Sequence, residues 1–301
     1  MRTITFKENT KTRLDKFLQQ QLADLSRSQI QKLVKEGLIK VNKEKVLVHR
    51  FLKNGDQITI ILKSKNIQKK DLPQPKVIEE NNDYLIIDKP SGLIVHPGIG
   101  IKEKTLTDWL VKKYPKIKAV GDDPQRPGLV HRLDKEVSGL MVIAKNQSMF
   151  EHLKEQFKNH RVKKEYLGLV HGQVKNDTGQ IDFPLSRSKL TGKIVAQPKK
   201  SEVGKEAVTE FEVLTRLVNY TYLKLKPLTG RTHQIRAHLQ AYGHPLAGDK
   251  LYQNKKLKNN SALNRVFLHA SQLGFFDIAN NWQEYRLDLP KTLQTILNSL
   301  S

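Results

Sequence analysis

Residues 131–135, His-Arg-Leu-Asp-Lys, set an imidazole, a guanidinium, a carboxylate and an ammonium side by side. Asp134, flanked by Arg132 and Lys135, is expected to stay ionised, because neighbouring cations favour the charged form. An ionised, oriented carboxylate can serve as a nucleophile or a base. A solvated salt-bridge cluster ahead of a strand has the same look, so this stretch alone leaves both readings open. A second group is Arg231, His233, Arg236 and His238, at the expected start of a helix. Free amides and the helix dipole attract anions there, and two guanidiniums suit a phosphate or a carboxylate. Arginines that cap neighbouring loops are the alternative. His233 and His238 stand five residues apart, which does not align two metal ligands on one helix face. Tyr166 lies on an expected strand, where an aromatic is ordinarily a packing residue.

These groups need elements to hold them. Asp122, Asp123, Pro124 and Pro127-Gly128 supply turn chemistry ahead of Asp134. Residues 140–144, all apolar or alanine, then read as a buried strand. Asp134 thus sits on an irregular segment that feeds a rigid one. Upstream, residues 76–80 and 84–88 read as a strand pair, 90–97 as a structured loop, and 105–113 as an amphipathic helix with Leu106, Trp109 and Leu110 inward. Downstream, 147–160 is helical. Residues 163–171 form a strand of alternating burial with Tyr166 and Gly168 on one face. Strands at 207–215 and 220–227 lead into a turn and a helix from about Arg231 to Ala241. A strand pair (265–275, 282–288) and a short helix close the chain. Many strands with few helices, not strictly alternating, indicate an α+β fold.

The chain has 301 residues, a net charge of +23 and no cysteine. Disulfides, thiolate zinc sites and a cysteine nucleophile are excluded. A positive charge of this size calls for a polyanionic partner. No apolar run reaches membrane-span length, and the N-terminal residues lack the apolar core of a signal peptide. The expectation is therefore a cytoplasmic, monomeric protein that binds nucleic acid, with no membrane association and no protein partner indicated. Gly98 and Gly100 lack a third glycine, and no GxxxxGK[ST] occurs, so nucleotide-cofactor loops have no support.

Residues 1–75 carry 17 Lys+Arg against 7 Asp+Glu, a denser positive charge than the remainder. Leu14, Phe17, Leu18 and Leu22 have helical spacing. Ser26 is placed to cap a second helix bearing Ile30, Leu33 and Val34, and Gly37 to close it. Strands are expected at 38–41, 46–48 and 57–62. Arg13, Lys16, Arg27, Lys32 and Lys35 can form one cationic face for phosphates, although a charge run is ordinarily a solvated surface. Residues 63–75, polar and ending in two prolines, have linker composition. Two basic helices followed by a short hairpin and a closing strand resemble the S4 domain, an RNA-binding module. The expected division is an S4-like unit at 1–66, a linker at 67–75 and a catalytic unit at 76–301.

Four stretches, around Lys89–Gly98, Leu129–Lys145, Val162–Gly172 and Pro227–Leu239, resemble in order the signature segments of the RluA/RluD-type pseudouridine synthases. The order and the S4-like unit look closest to members acting on the large ribosomal subunit. The resemblance implies a large mixed, mainly antiparallel sheet with flanking helices, and isomerisation of uridine to pseudouridine in RNA, most simply 23S ribosomal RNA or the pre-ribosomal large subunit. It implies no cofactor and no metal. By position it makes Asp134 the catalytic aspartate and Tyr166 the active-site tyrosine. It makes Arg231 the arginine that pairs with the aspartate, and Arg132 a residue that opens RNA. His131 and Arg236, with Arg13, Arg27, Lys32 and Lys35, are expected to contact RNA. Two alternatives stay open: a non-catalytic RNA-binding or ribosome-assembly factor on the same fold, and a nuclease using His131, His233 or His238.

Overall fold

A computed structural model describes residues 2–8, 10–22, 25, 27–61, 73–98, 103–188, 190–197, 204–253 and 263–300. The expected cap Ser26, the strand end Leu62, Gly100 and linker residues 67–72 lie outside them. The chain divides into two compact units, Met1–Lys70 and Asp71–Ser301.

The first unit holds β1 (Arg2–Thr5), α1 (Leu14–Gln21), α2 (Arg27–Lys35), β2 (Ile39–Val41), β3 (Glu44–Lys45) and β4 (Gln57–Ile60). Its sheet runs β1-β4-β2-β3, all antiparallel. Leu14, Phe17, Leu18, Ile30 and Val34 are buried between helices and sheet, as their spacing required. Two expectations shift. β1 was not foreseen, and the hairpin strand lies at 44–45 instead of 46–48. Asn42 and Lys43 both take left-handed φ, 52° and 69°. They make a two-residue turn that pairs Val41 with Glu44 directly.

The cationic face of this unit is also altered. Asp15 is fully buried. It accepts from Arg13 Nε and Nη2 at 3.1 and 3.0 Å, Arg27 Nε at 3.0 Å and Gln31 Nε2 at 3.1 Å. Burial opposes its charge, but these donors outweigh that and hold the carboxyl well below the usual range. Arg13 and Arg27 are thus tied inward, and Lys16, Lys32 and Lys35 remain as exposed cations. Asp15→Ala is expected to destabilise this unit by about 1–3 kcal/mol, since it removes the buried acceptor that ties Arg13, Arg27 and Gln31 together. Hydrogen exchange at α1 and α2 in the full-length protein measures it. Because the folded carboxyl titrates below its unfolded value, its contribution is present above about pH 4 and is lost as pH falls further. An unchanged exchange pattern in Asp15→Ala would rule the clamp out.

The second unit contains β5 (Lys76–Glu80), β6 (Tyr84–Lys89), α3 (Leu106–Lys113), β7 (Ser138–Ala144), α4 (Gln147–Lys158), β8 (Lys163–His171), β9 (Thr178–Asp182), β10 (Leu185–Arg187) and β11 (Ile194–Ala196). It continues with β12 (Val208–Arg216), β13 (Tyr220–Pro227), α5 (Gln234–Ala241), β14 (Leu268–Phe276), β15 (Trp282–Arg286) and α6 (Lys291–Ser299). Its main sheet runs β5-β6-β7-β14-β8-β13-β12-β9, with β15 on β14, and β10-β11 form a separate hairpin. Every pairing in the main sheet is antiparallel except β7 with β14. The fold is therefore α+β with a large, mainly antiparallel sheet, as expected.

Burial along β8 deepens instead of alternating. Val170 faces the main core, while Leu169 packs with Phe267 and Leu293 on the opposite side. A central strand covered on both faces shows no period of two. Gly139, at φ 121°, lets β7 approach β14: a Cβ there would collide with the Ala270 carbonyl. This close approach fixes where the segment bearing Asp134 enters the sheet. Among the described residues no helix is long and apolar enough to cross a membrane.

Candidate active site

Leu133 and Val137, both buried, pin the backbone on either side of Asp134. A second loop is latched to it. Ser91 Oγ donates to the Glu136 carbonyl at 2.7 Å and Gly92 N to the Lys135 carbonyl at 2.7 Å. Lys89, wholly buried, donates to the carbonyls of Pro90 and Leu93 at 2.9 Å and of Lys135 at 3.4 Å. Burial brings its ammonium down to about 7. The loop at 90–97 and the loop carrying Asp134 therefore form one braced platform.

The partner of Asp134 is Arg236, not Arg231. Arg236 Nη1 donates to Asp134 Oδ2 at 3.1 Å, while its Nε and Nη2 fork onto Asp249 at 2.7 and 2.8 Å. Burial opposes the guanidinium charge, but the two carboxylates outweigh it and hold Arg236 above its ordinary value. Asp249 is wholly buried and also accepts from the backbone of Leu251 and Tyr252, each at 3.0 Å. The Tyr252 ring lies against the guanidinium, 5.2 Å from its centre. The Asp249 carboxylate and the Tyr252 ring thus fix the arginine before it reaches Asp134.

The sequence-based expectation erred because α5 begins at Gln234, three residues later than foreseen. His233 takes a left-handed φ of 54° ahead of the helix, so Arg231 is left in the loop. Its Nε donates to the Glu206 carbonyl at 3.1 Å, and its backbone N–H to Gln234 Oε1 at 3.0 Å. Arg236, expected to contact RNA, is 3% exposed and committed to two carboxylates. His233 places Nε2 3.7 Å from Asp134 Oδ1 and Nδ1 3.0 Å from the Tyr252 hydroxyl. Burial lowers its pKa against the pull of Asp134, which keeps the ring neutral at neutral pH.

Tyr166 projects from β8 into the same cavity as Asp134, Arg231 and Arg236, which measures about 600 Å³. That volume suits a nucleoside-sized ligand. Burial, and then the Asp134 charge, push the phenol well above its usual range, so it stays protonated at neutral pH. Arg132 is exposed at the mouth and donates to His96 Nε2 at 3.0 Å. His131 is a correction. Its Nε2 accepts from Val142 N at 3.0 Å, and its ring stacks on Phe157 at 4.7 Å. Burial brings it down to about 3. A neutral ring held by β7 and α4 braces the loop and is neither a cationic RNA contact nor the acid of a nuclease. His238 is likewise held inward, by Thr209 and the Phe183 carbonyl at 2.9 Å each.

Sequence reasoning missed Asp249, Tyr252, His233 as a neighbour of Asp134, and Lys89. The signal for Asp249 was the second arginine of the 231–236 run, which needs a buried acid if it points inward, and Lys89 and His233 stood inside the motifs without a role. Among the described residues no cluster of three or more His, Asp or Glu side chains is placed to hold a metal.

The RNA pseudouridylate synthase family profile matches residues 83–241, and the S4 domain profile matches residues 12–58. An uncharacterised RNA pseudouridine synthase of Aquifex aeolicus is 38% identical over 97% of this chain and 95% of its own. A ribosomal large subunit pseudouridine synthase D of Buchnera aphidicola is 35% identical, over 95% and 93%. The solved structure of human RNA Pseudouridylate Synthase Domain Containing 4 superposes with a TM-score of 0.60 at 26% identity, covering 75% of this chain and 92% of that one. The braced carboxylate, the nucleoside-sized cavity and these full-length similarities converge: the chain belongs to the RNA pseudouridylate synthase family, as an isomerase that carries an S4 domain.

Proposed function

We propose that this enzyme converts specific uridines of 23S ribosomal RNA to pseudouridine, with Asp134 as its catalytic carboxylate. The observation that carries the proposal is the Asp134–Arg236 contact at 3.1 Å, on the wall of a cavity that also presents Tyr166. The ribosomal target is supported by the name of the Buchnera relative. A base inside a helix must leave its stack to reach such a cavity, at a cost of roughly a few kcal/mol. Unpaired loops lower that cost. Arg132, at the mouth, is the residue to fill the space the base vacates. In the cavity the N1–C1′ bond breaks, the uracil turns, and C5 bonds to C1′; C5 gives up its proton and the freed N1 takes one, so the product is an isomer. Asp134 acts at the ribose, either by bonding to C1′ until C5 displaces it or by taking the C2′ proton and returning it when C5 attacks. The raised phenol of Tyr166 argues for contact with the nucleoside as a neutral group rather than as the base that takes the C5 proton. Lys16, Lys32 and Lys35 hold RNA through phosphates, and the enzyme works in the cytoplasm, where ribosomes are assembled.

The test is incubation with unmodified transcripts of 23S, 16S and transfer RNA, followed by carbodiimide treatment and reverse transcription. Stops at a few discrete uridines of the 23S transcript are expected. Stops confined to the other RNAs would overturn the target.

A further inference from the structure

β8 sends two side chains into the cavity, Tyr166 and, two residues earlier on the same face, Lys164. Same-face residues on a strand stand about 6.7 Å apart. The flanking charges of β8 are paired: Lys163 with Glu284 at 3.2 Å, and Glu165 with Lys226 at 3.8 Å. Lys164 has no carboxylate partner among the described residues. Burial is the sole influence on its ammonium and brings it to about 8, so it is still cationic at neutral pH. A half-buried cation without a counter-charge is costly unless a ligand supplies one.

Its place in the cavity narrows the ligand. Exposed Lys158 and His160, at and just beyond the end of α4, line the same cavity. A neutral uracil cannot balance an ammonium, and a backbone phosphate can. With the ribose at Asp134, the nucleotide's own phosphate falls about one sugar's breadth away.

We propose that Lys164, on the same strand face as Tyr166, is the phosphate contact of the flipped nucleotide, gripping its backbone while the base and ribose occupy the cavity. The inference rests on uridine entering this cavity. It gives the site a means of binding a nucleotide within a chain in preference to a free nucleoside.

Titrating the full-length protein with uridine, uridine 5′-monophosphate and uridine 3′-monophosphate at constant ionic strength, by ligand-observed NMR, tests it. The wild type is expected to bind one monophosphate about tenfold more tightly than uridine, the scale of one charge-assisted contact. Lys164→Gln is expected to lose that preference with uridine affinity unchanged, and Lys164→Arg to keep it. Three results overturn the proposal: a wild type that neither binds nor prefers a monophosphate, a preference that survives Lys164→Gln, or an equal loss for uridine and both monophosphates. The titration uses no ribosomal RNA, so a wrong 23S target leaves it standing, and its failure leaves the target untouched.

Discussion

Asp134→Asn is expected to abolish pseudouridine formation, lowering the single-turnover rate by at least about 10³-fold, while RNA affinity stays within about twofold. The substitution is close to isosteric. Leu133 and Val137 remain buried on either side, and the amide oxygen can still accept from Arg236 Nη1. Arg236 keeps its fork to Asp249, so its charge stays compensated. What is lost is the anion. An amide neither bonds to C1′ nor takes a proton from C2′, and positioned acid–base groups contribute about 10²–10⁴-fold each. RNA affinity comes chiefly from cations meeting phosphates, and Asp134 is no part of that. Carbodiimide-dependent stops measured at saturating enzyme decide the matter. A variant within tenfold of the wild-type rate would remove Asp134 from the chemistry.

How far the sequence reached can be judged from single residues. The strands at 163–171 and 220–227 were legible to the residue, because each is a run of strand-forming residues closed by a glycine or a proline. The 140–144 strand was visible for the same reason, and it fixed where Asp134 leaves the irregular segment. The short strands β9, β10 and β11 were not visible, being only three to five residues long, too short to show a period, and β9 and β10 largely polar as well. Within the candidate site, the motifs put forward Asp134 and Tyr166, and both line one cavity. The arginine was misassigned because one residue, His233, adopts a conformation that most side chains avoid. That choice delays the helix, leaving Arg231 in the loop while Arg236 is the arginine that reaches Asp134. No local pattern reports it. Asp249, which anchors Arg236, lies 13 residues further along. His131 misled for a similar reason: its stacking partner Phe157 sits in a different element. Local chemistry showed which groups were present, and long-range packing decided which of them met.

Arg236→Ala and Arg231→Ala are expected to separate sharply, and the contrast tests the pairing directly. In Arg236→Ala the wholly buried Asp249 loses both arms of its fork and Asp134 loses its guide. Breaking a buried pair from one side costs about 3–5 kcal/mol, so the second unit should unfold at markedly lower denaturant and activity should vanish. Loss of activity alone could then reflect loss of structure. A paired variant, Arg236→Met with Asp249→Asn, removes both buried charges and keeps a side-chain oxygen to accept from the backbone of Leu251 and Tyr252. Removing both partners of a buried ion pair is far less costly than removing one. That variant should recover most of the lost stability and remain at least about 100-fold slower than wild type, because Asp134 is still unguided. Arg231→Ala deletes an exposed guanidinium whose recorded side-chain bond goes to the Glu206 carbonyl. Its stability should change by no more than about 0.5 kcal/mol, and its loss should appear in RNA affinity before it appears in the saturated rate. The reverse pattern, an inactive Arg231→Ala beside a nearly active Arg236→Met/Asp249→Asn, would mean that Asp134 takes its orientation from the Arg231 side of the cavity once RNA is bound, and that the contact at 3.1 Å is structural alone.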